Sequence, residues 1–118
     1  MSKPEIFYQP IPKETIERLA REEFDDMIKF VVDLEKRIIC AGGGLHSDEE
    51  QMLLDQGSAQ TGLWGANYYW QDSSEQRFEY TSMINVRPED GNKTQQIQSS
   101  ELKEAIRTLA IHFFESQR

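Results

Sequence analysis

The segment spanning residues 27–41 decides what this chain can fold into. Met27, Val31, Leu34 and Ile38 would extend a helical stripe begun upstream. Ile28, Phe30, Val32 and Leu34 instead alternate with Lys29, Val31, Asp33 and Glu35 at close to period two. The first pattern gives one long helix over 13–37, the second a β-hairpin. The hairpin is favoured, because the segment is rich in β-branched and aromatic residues and Glu35-Lys36-Arg37 makes a polar break before Ile38-Ile39-Cys40-Ala41. Gly42-Gly43-Gly44 then stops the second strand.

The rest of the chain can be arranged around that hairpin. Residues 1–12 hold Pro4, Pro10 and Pro12 and form an extended N-terminal arm, which Ile6, Phe7, Tyr8 and Ile11 allow to dock. Residues 13–118 are expected to form a single α+β domain, in keeping with a length of 118 residues. Ile16, Leu19, Ala20 and Phe24 lie on one side of a first helix, over 13–24. Ser47-Asp48-Glu49-Glu50 has the form of a capping box, with Ser47 and Glu50 exchanging side-chain and amide hydrogen bonds, so a second helix is expected over 48–56 with Gly57 as its left-handed cap.

Residues 63–70 make an aromatic-rich strand. Residues 77–87 follow as its hairpin partner, with Phe78, Tyr80, Ser82, Ile84 and Val86 on one face. A long polar loop over 88–99 leads to a last helix capped by Ser99 or Ser100, whose apolar face is Leu102, Ala105, Ile106, Leu109, Ala110 and Phe113. The expected fold is therefore a two-layer α+β domain. Its order is α-β-β-α-β-β-α, and an antiparallel sheet of about four strands, in two hairpins, packs against the helices.

Composition removes several function classes. With 13 Lys and Arg against 21 Asp and Glu, the chain carries a formal charge of −8, which disfavours nucleic acid and anionic membrane surfaces. No apolar run approaches the ~20 residues that cross a bilayer, no signal-like segment opens the chain, and one cysteine cannot form an internal disulfide, so a cytoplasmic location is expected. The acidity is concentrated in residues 46–90, which carry 9 acidic and 2 basic groups.

No catalytic motif is present, and no cofactor is implied. The triple glycine lacks the Lys-Ser/Thr of a phosphate loop, and Asp48, Glu49 and Glu50 would repel a phosphate at the helix that follows. Cys40, between Ile39 and Ala41, is expected to be buried filler. Six polar residues stand out as candidate ligand-binding positions: His46, Asp48 and Glu50 in the densest anionic stretch, and Asn85, Arg87 and Asn92 around the long loop. Metal binding is left open. The expected structural role of Arg87 is an ion pair near His46 or Asp48. Trp64, Tyr68 and Trp70 share one strand face, with Tyr69 and Asn67 on the other. They suggest either core or a self-association surface, since three helices need not cover both faces of a four-stranded sheet.

Three segments together, GGGLHSDEEQMLL, DQGSAQTGLWGANYY and SMINVRPEDGNKT, resemble a family of short bacterial and cyanobacterial proteins known as a domain of unknown function. The resemblance rests on Gly43, Gly44, Leu45, His46, Asp48 and Glu50, on Gly57, Ser58, Leu63, Trp64, Gly65 and Asn67, and on Asn85, Arg87, Pro88, Gly91 and Asn92. It spans residues 11–113 and nominates the same polar positions without supplying a mechanism. Relatives carry glycine where Arg37 stands, which fits the hairpin. The expected function is a binding or interaction module that self-associates as a homodimer, with a protein or small-molecule partner. The alternative is a small enzyme or divalent-metal site built from His46, Asp48, Glu50 and Arg87.

Overall fold

The computed structural model describes residues 3–116; the outermost residues of the expected arm and domain lie outside the described residues. Its elements are β1 (Glu5–Phe7), α1 (Lys13–Glu22), β2 (Ile28–Asp33), β3 (Ile38–Gly43), α2 (His46–Asp55), β4 (Leu63–Tyr68), β5 (Phe78–Glu79) and α3 (Ser100–Glu115). The strands form one antiparallel sheet in the order β1-β3-β2-β4-β5.

The hairpin forms, and the chain chemistry explains why. Asp33 Oδ1 accepts hydrogen bonds from the amides of Glu35 and Lys36, both at 2.9 Å, and folds the break back on itself. Arg37 takes the left-handed conformation, φ 58°, and its amide closes on the Asp33 carbonyl at 2.8 Å. That is a backbone position which favours glycine. Upstream, α1 ends because Asp25 turns left-handed, φ 71°, and its amide bonds the Ala20 carbonyl.

Four features differ from expectation. First, part of the N-terminal arm is a fifth strand: Glu5, Ile6 and Phe7 pair with Ala41, Cys40 and Ile39. Ile11 follows, fully buried, with its amide bonded to the Phe113 carbonyl.

Second, the helices cover both sheet faces, giving three layers instead of two. Phe30, Val32, Ile39, Ala41, Ala66 and Tyr68 pack with α1 and α3, whereas the residues alternating with them in β2 and β3, Val31, Ile38 and Cys40, pack with Leu53 of α2. Trp64 and Tyr68 belong to the first of these cores, the core alternative for this aromatic strand.

Third, the strand expected over 77–87 pairs with β4 only at Phe78 and Glu79, while Thr81 and Arg87 bridge to Gln96 and Asn92 of the following loop. Beyond them the chain makes a 3-10 turn at Met83–Asn85, where the Ser82 hydroxyl accepts from the Ile84 amide.

Fourth, the capping box does not form. Helix α2 starts at His46, two residues earlier than the box requires, with Leu45 as an N-cap that has no side-chain oxygen to offer. The carboxyl that would be second-turn decoration, Glu49, reaches instead to the strand and accepts from the Gly43 amide at 2.9 Å. Gly57 does close the helix, at φ 108°. Ser99 caps α3 by accepting from the Leu102 amide.

Candidate functional site

Two polar regions flank β4. The first runs along its outer edge, where a conventional strand would supply backbone partners. Asn67 and Tyr68 pair with Glu79 and Phe78, and the Tyr69 amide donates to the Arg77 carbonyl at 2.8 Å. Where β5 stops, side chains take over. The Asn85 amide mimics a peptide group: its Oδ1 accepts from Gly65 N and its Nδ2 donates to Gly65 O, both at 2.9 Å. One step further, Arg87 donates to the carbonyls of Leu63 and Gln60. Its guanidinium carbon sits 3.7 Å from the centre of the Trp64 ring.

Asn92 completes this network. Its Nδ2 donates to the carbonyls of Asn85, Thr94 and Gln96, and its Oδ1 accepts from the Gln98 amide. Backbone bonds in both directions between Arg87 and Asn92 close the loop, with Gly91 left-handed at its tip, φ 87°. Asn85, Arg87 and Asn92 are thus brought together, 0%, 4% and 4% exposed. Their polar groups are spent almost entirely on backbone.

The expected ion pair of Arg87 is absent; carbonyls and a ring hold it, and burial lowers its pKa. The buried ion pair belongs to Arg77, which grips Glu115 of α3 with two bonds of 2.7 and 2.9 Å.

The second region is a cleft of about 280 Å³ on the α2 side of the sheet. Lys29 of β2, Asn67 of β4, His46 and Ser47 at the start of α2, and Ser82 line it, with Leu45, Met83 and Ile84 as its apolar wall. Leu45 and Met83 are 58% and 70% exposed.

Gly65 is the hinge between the two regions. A Cβ there would lie 2.8 Å from Ser82 Cβ and 3.2 Å from His46 Cδ2, so only glycine lets α2 and the turn after Ser82 both close on β4.

His46 is 7% exposed. Its Nε2 lies 2.8 Å from the Ala66 carbonyl. A carbonyl only accepts, so Nε2 carries the proton and Nδ1 is left as an acceptor. Burial lowers its pKa to about 4, the Ala66 carbonyl opposing and the Lys29 charge adding to the shift, with the Asn67 side chain and the Glu79 charge weakly opposing, and the ring is neutral at pH 7.

Asn67 donates from Nδ2 to Glu79 Oε1 at 2.8 Å, which fixes the orientation of its amide. Its Oδ1 is buried with no partner. Lys29 lies 5.4 Å from the Phe24 ring centre and makes no ion pair among the described residues.

Glu49 is the residue that its neighbours in sequence concealed. It is fully buried, one oxygen bonded to the Gly43 amide and the other unpartnered, and burial raises its pKa well above the usual range. Burial penalises the charged carboxylate, and the Gly43 amide only partly offsets that penalty.

Of the six expected ligand-binding residues, His46 alone lines the cleft; Asp48 is exposed and Glu50 half-buried. Among the described residues no group of three or more His, Cys, Asp or Glu side chains is placed to hold a metal ion. His46 spends its Nε2 on a carbonyl, and Asp48 points to solvent. Cys40 is buried, 3.8 Å from Met52 Sδ, with its thiol pKa raised by burial.

Lys29, Asn67 and Glu49 were absent from the expected set. Only Asn67 carried any signal, as part of the Leu-Trp-Gly-x-Asn segment.

No curated protein and no solved structure matches this chain. The family model described as protein of unknown function (DUF5674) matches residues 5–113, and the chain belongs to that family.

Proposed function

We propose that this protein is a binding module whose site is the cleft between the start of α2 and the segment around Ser82. The observation that carries this reading is Asn67, only 5% exposed and lining the cleft, whose Oδ1 makes no well-formed hydrogen bond among the described residues. A buried acceptor without a partner costs about 1–3 kcal/mol, and an outside group that bonds it recovers that cost. The cleft has the make-up of a small-ligand site: an apolar wall with a few convergent polar groups, at the small end of the usual volume range. Binding, with no chemical step, fits its residues, since the imidazole is neutral and tied to a carbonyl.

Backbone amide NMR tests the reading, by titrating a library of small polar fragments into the labelled protein. Shifts clustered on Lys29, His46, Ser47, Asn67 and Ser82, and abolished by Ser47→Phe, are the expected result. Ser47 is exposed, so the larger ring can enter the cleft without disturbing the core. Shifts that cluster elsewhere, or none in the cleft, would overturn it.

A further inference from the structure

On sequence alone, Asp48, Glu49 and Glu50 and the lack of a Lys-Ser/Thr after the triple glycine disfavour an anion at this helix. The structure changes that. Helix α2 begins at His46; the Asp48 amide bonds the Leu45 carbonyl at 3.2 Å, which leaves the His46 and Ser47 amides at the positive end of the dipole without an intrahelical acceptor. The Leu45 side chain has no oxygen to cap them. Glu49 is buried, its pKa raised by burial, with one oxygen on Gly43 N; Asp48 is exposed and Glu50 half-buried, and none of the three lines the cleft. The cleft wall at this helix end also carries Lys29, its one charged residue, which has no carboxylate partner among the described residues.

A helix end and a lysine attract an acid group and say nothing about the rest of the ligand. Asn67 adds that information. Glu79 accepts from Nδ2, so the unpartnered atom is Oδ1, an acceptor, and what it lacks is a donor. An anionic carboxylate has none. The ligand therefore needs a hydroxyl or an amine beside its acid. An ammonium would set a second positive charge close to Lys29, whereas a hydroxyl donates its hydrogen without one. Leu45, Met83 and Ile84 leave an apolar wall for a short carbon chain.

We infer that the cleft takes a small hydroxycarboxylate, its acid group at the start of α2 and Lys29, and its hydroxyl on Asn67 Oδ1. This rests on the binding reading above and names the ligand class for the same site.

Three probes of one size separate the parts: 2-hydroxybutyrate, butyrate and butane-1,2-diol, each titrated into the full chain and followed by amide shifts. The expected result is saturable binding of 2-hydroxybutyrate in the cleft, about tenfold weaker binding of butyrate, and weaker still of the diol. Lys29→Met should weaken both acids and leave the diol unchanged. Asn67→Leu should erase the difference between 2-hydroxybutyrate and butyrate while both still bind. The spectrum away from the cleft shows whether each variant is folded; if Asn67→Leu is not, Lys29→Met and the three wild-type affinities decide.

Diol binding in the cleft as tight as that of the acids would overturn the acid assignment and leave the cleft a binding site. Equal affinity for butyrate and 2-hydroxybutyrate would overturn the hydroxyl assignment. Cleft resonances that respond to none of the three, yet respond in the fragment titration, would overturn the ligand class alone.

Discussion

Asn85 and Asn67 are both nearly inaccessible, 0% and 5% exposed, and both sit at the outer edge of β4, yet they are built to opposite rules. Asn85 spends its carbonyl and its amine on the two peptide groups of Gly65, with a second amine bond of 3.2 Å to the Gln95 carbonyl. Asn67 bonds Glu79 on one side and leaves its oxygen without a partner on the other. A buried polar group whose bonds all end on backbone belongs to the fold. One left unsatisfied beside a cleft is available to something outside the chain. Arg87 and Lys29 differ in a related way: the Arg87 guanidinium is caged by carbonyls and the Trp64 ring, with only its Nε unpartnered, whereas Lys29 lines the cleft with no carboxylate partner among the described residues.

The largest effect is expected at Arg87. Replacing it by methionine keeps much of the volume but strips donors from Leu63 and Gln60 and a cation from Trp64, at a cost of about 3–5 kcal/mol in urea unfolding. A loss under about 1 kcal/mol would show that the carbonyl cage does not hold the edge.

Next comes pH. His46 has a folded pKa of about 4 against an ordinary 6.5, so the folded state binds fewer protons than the unfolded between those values. Its contribution is fully present above about 6.5 and is lost as the pH falls towards about 4. The wild type should lose about 3 kcal/mol more than His46→Gln across that window, measured by urea unfolding at a series of pH values.

Glu49 acts in the other direction. Its folded pKa lies above the ordinary 4.5, so its contribution is full below that value and is lost as the pH rises towards the raised one. Glu49→Gln should lie within about 1 kcal/mol of wild type near pH 5 and gain on it as the pH rises. Parallel pH profiles for the two proteins would mean that Glu49 is ionised in the fold.

Much of the fold is legible in the residues because local chemistry decides it. The stripe Ile16, Leu19 and Ala20, the polar break before Ile38, and Ser99 ahead of α3 each depend on neighbours in sequence. What was illegible depends on distant partners. Ser47-Asp48-Glu49-Glu50 fits a capping box locally, but Glu49 finds the Gly43 amide on β3, and the helix starts early to deliver it there. Alternation after Phe78 records which side chains face inwards. It does not say whether backbone or side chain bonds the neighbouring strand, and from Asn85 onwards it is side chain.

The same limit applies to the candidate residues. Asn85, Arg87 and Asn92 were singled out as unusual polar positions, and they are, as anchors of a sheet edge. Asn67 and Lys29 face each other across β2 and β4, and only their pairing register puts them at one cleft.

One comparison tests the division most directly: urea unfolding of Asn85→Ala and Asn67→Ala, the same truncation at two buried asparagines. Asn85→Ala orphans both peptide groups of Gly65 and is expected to cost about 2–4 kcal/mol, whereas Asn67→Ala gives up the bond to Glu79 but also removes an unsatisfied buried oxygen, and with the two offsetting it is expected to cost under about 1 kcal/mol. Equal losses at the two sites would contradict the assignment of one to the fold and the other to a ligand.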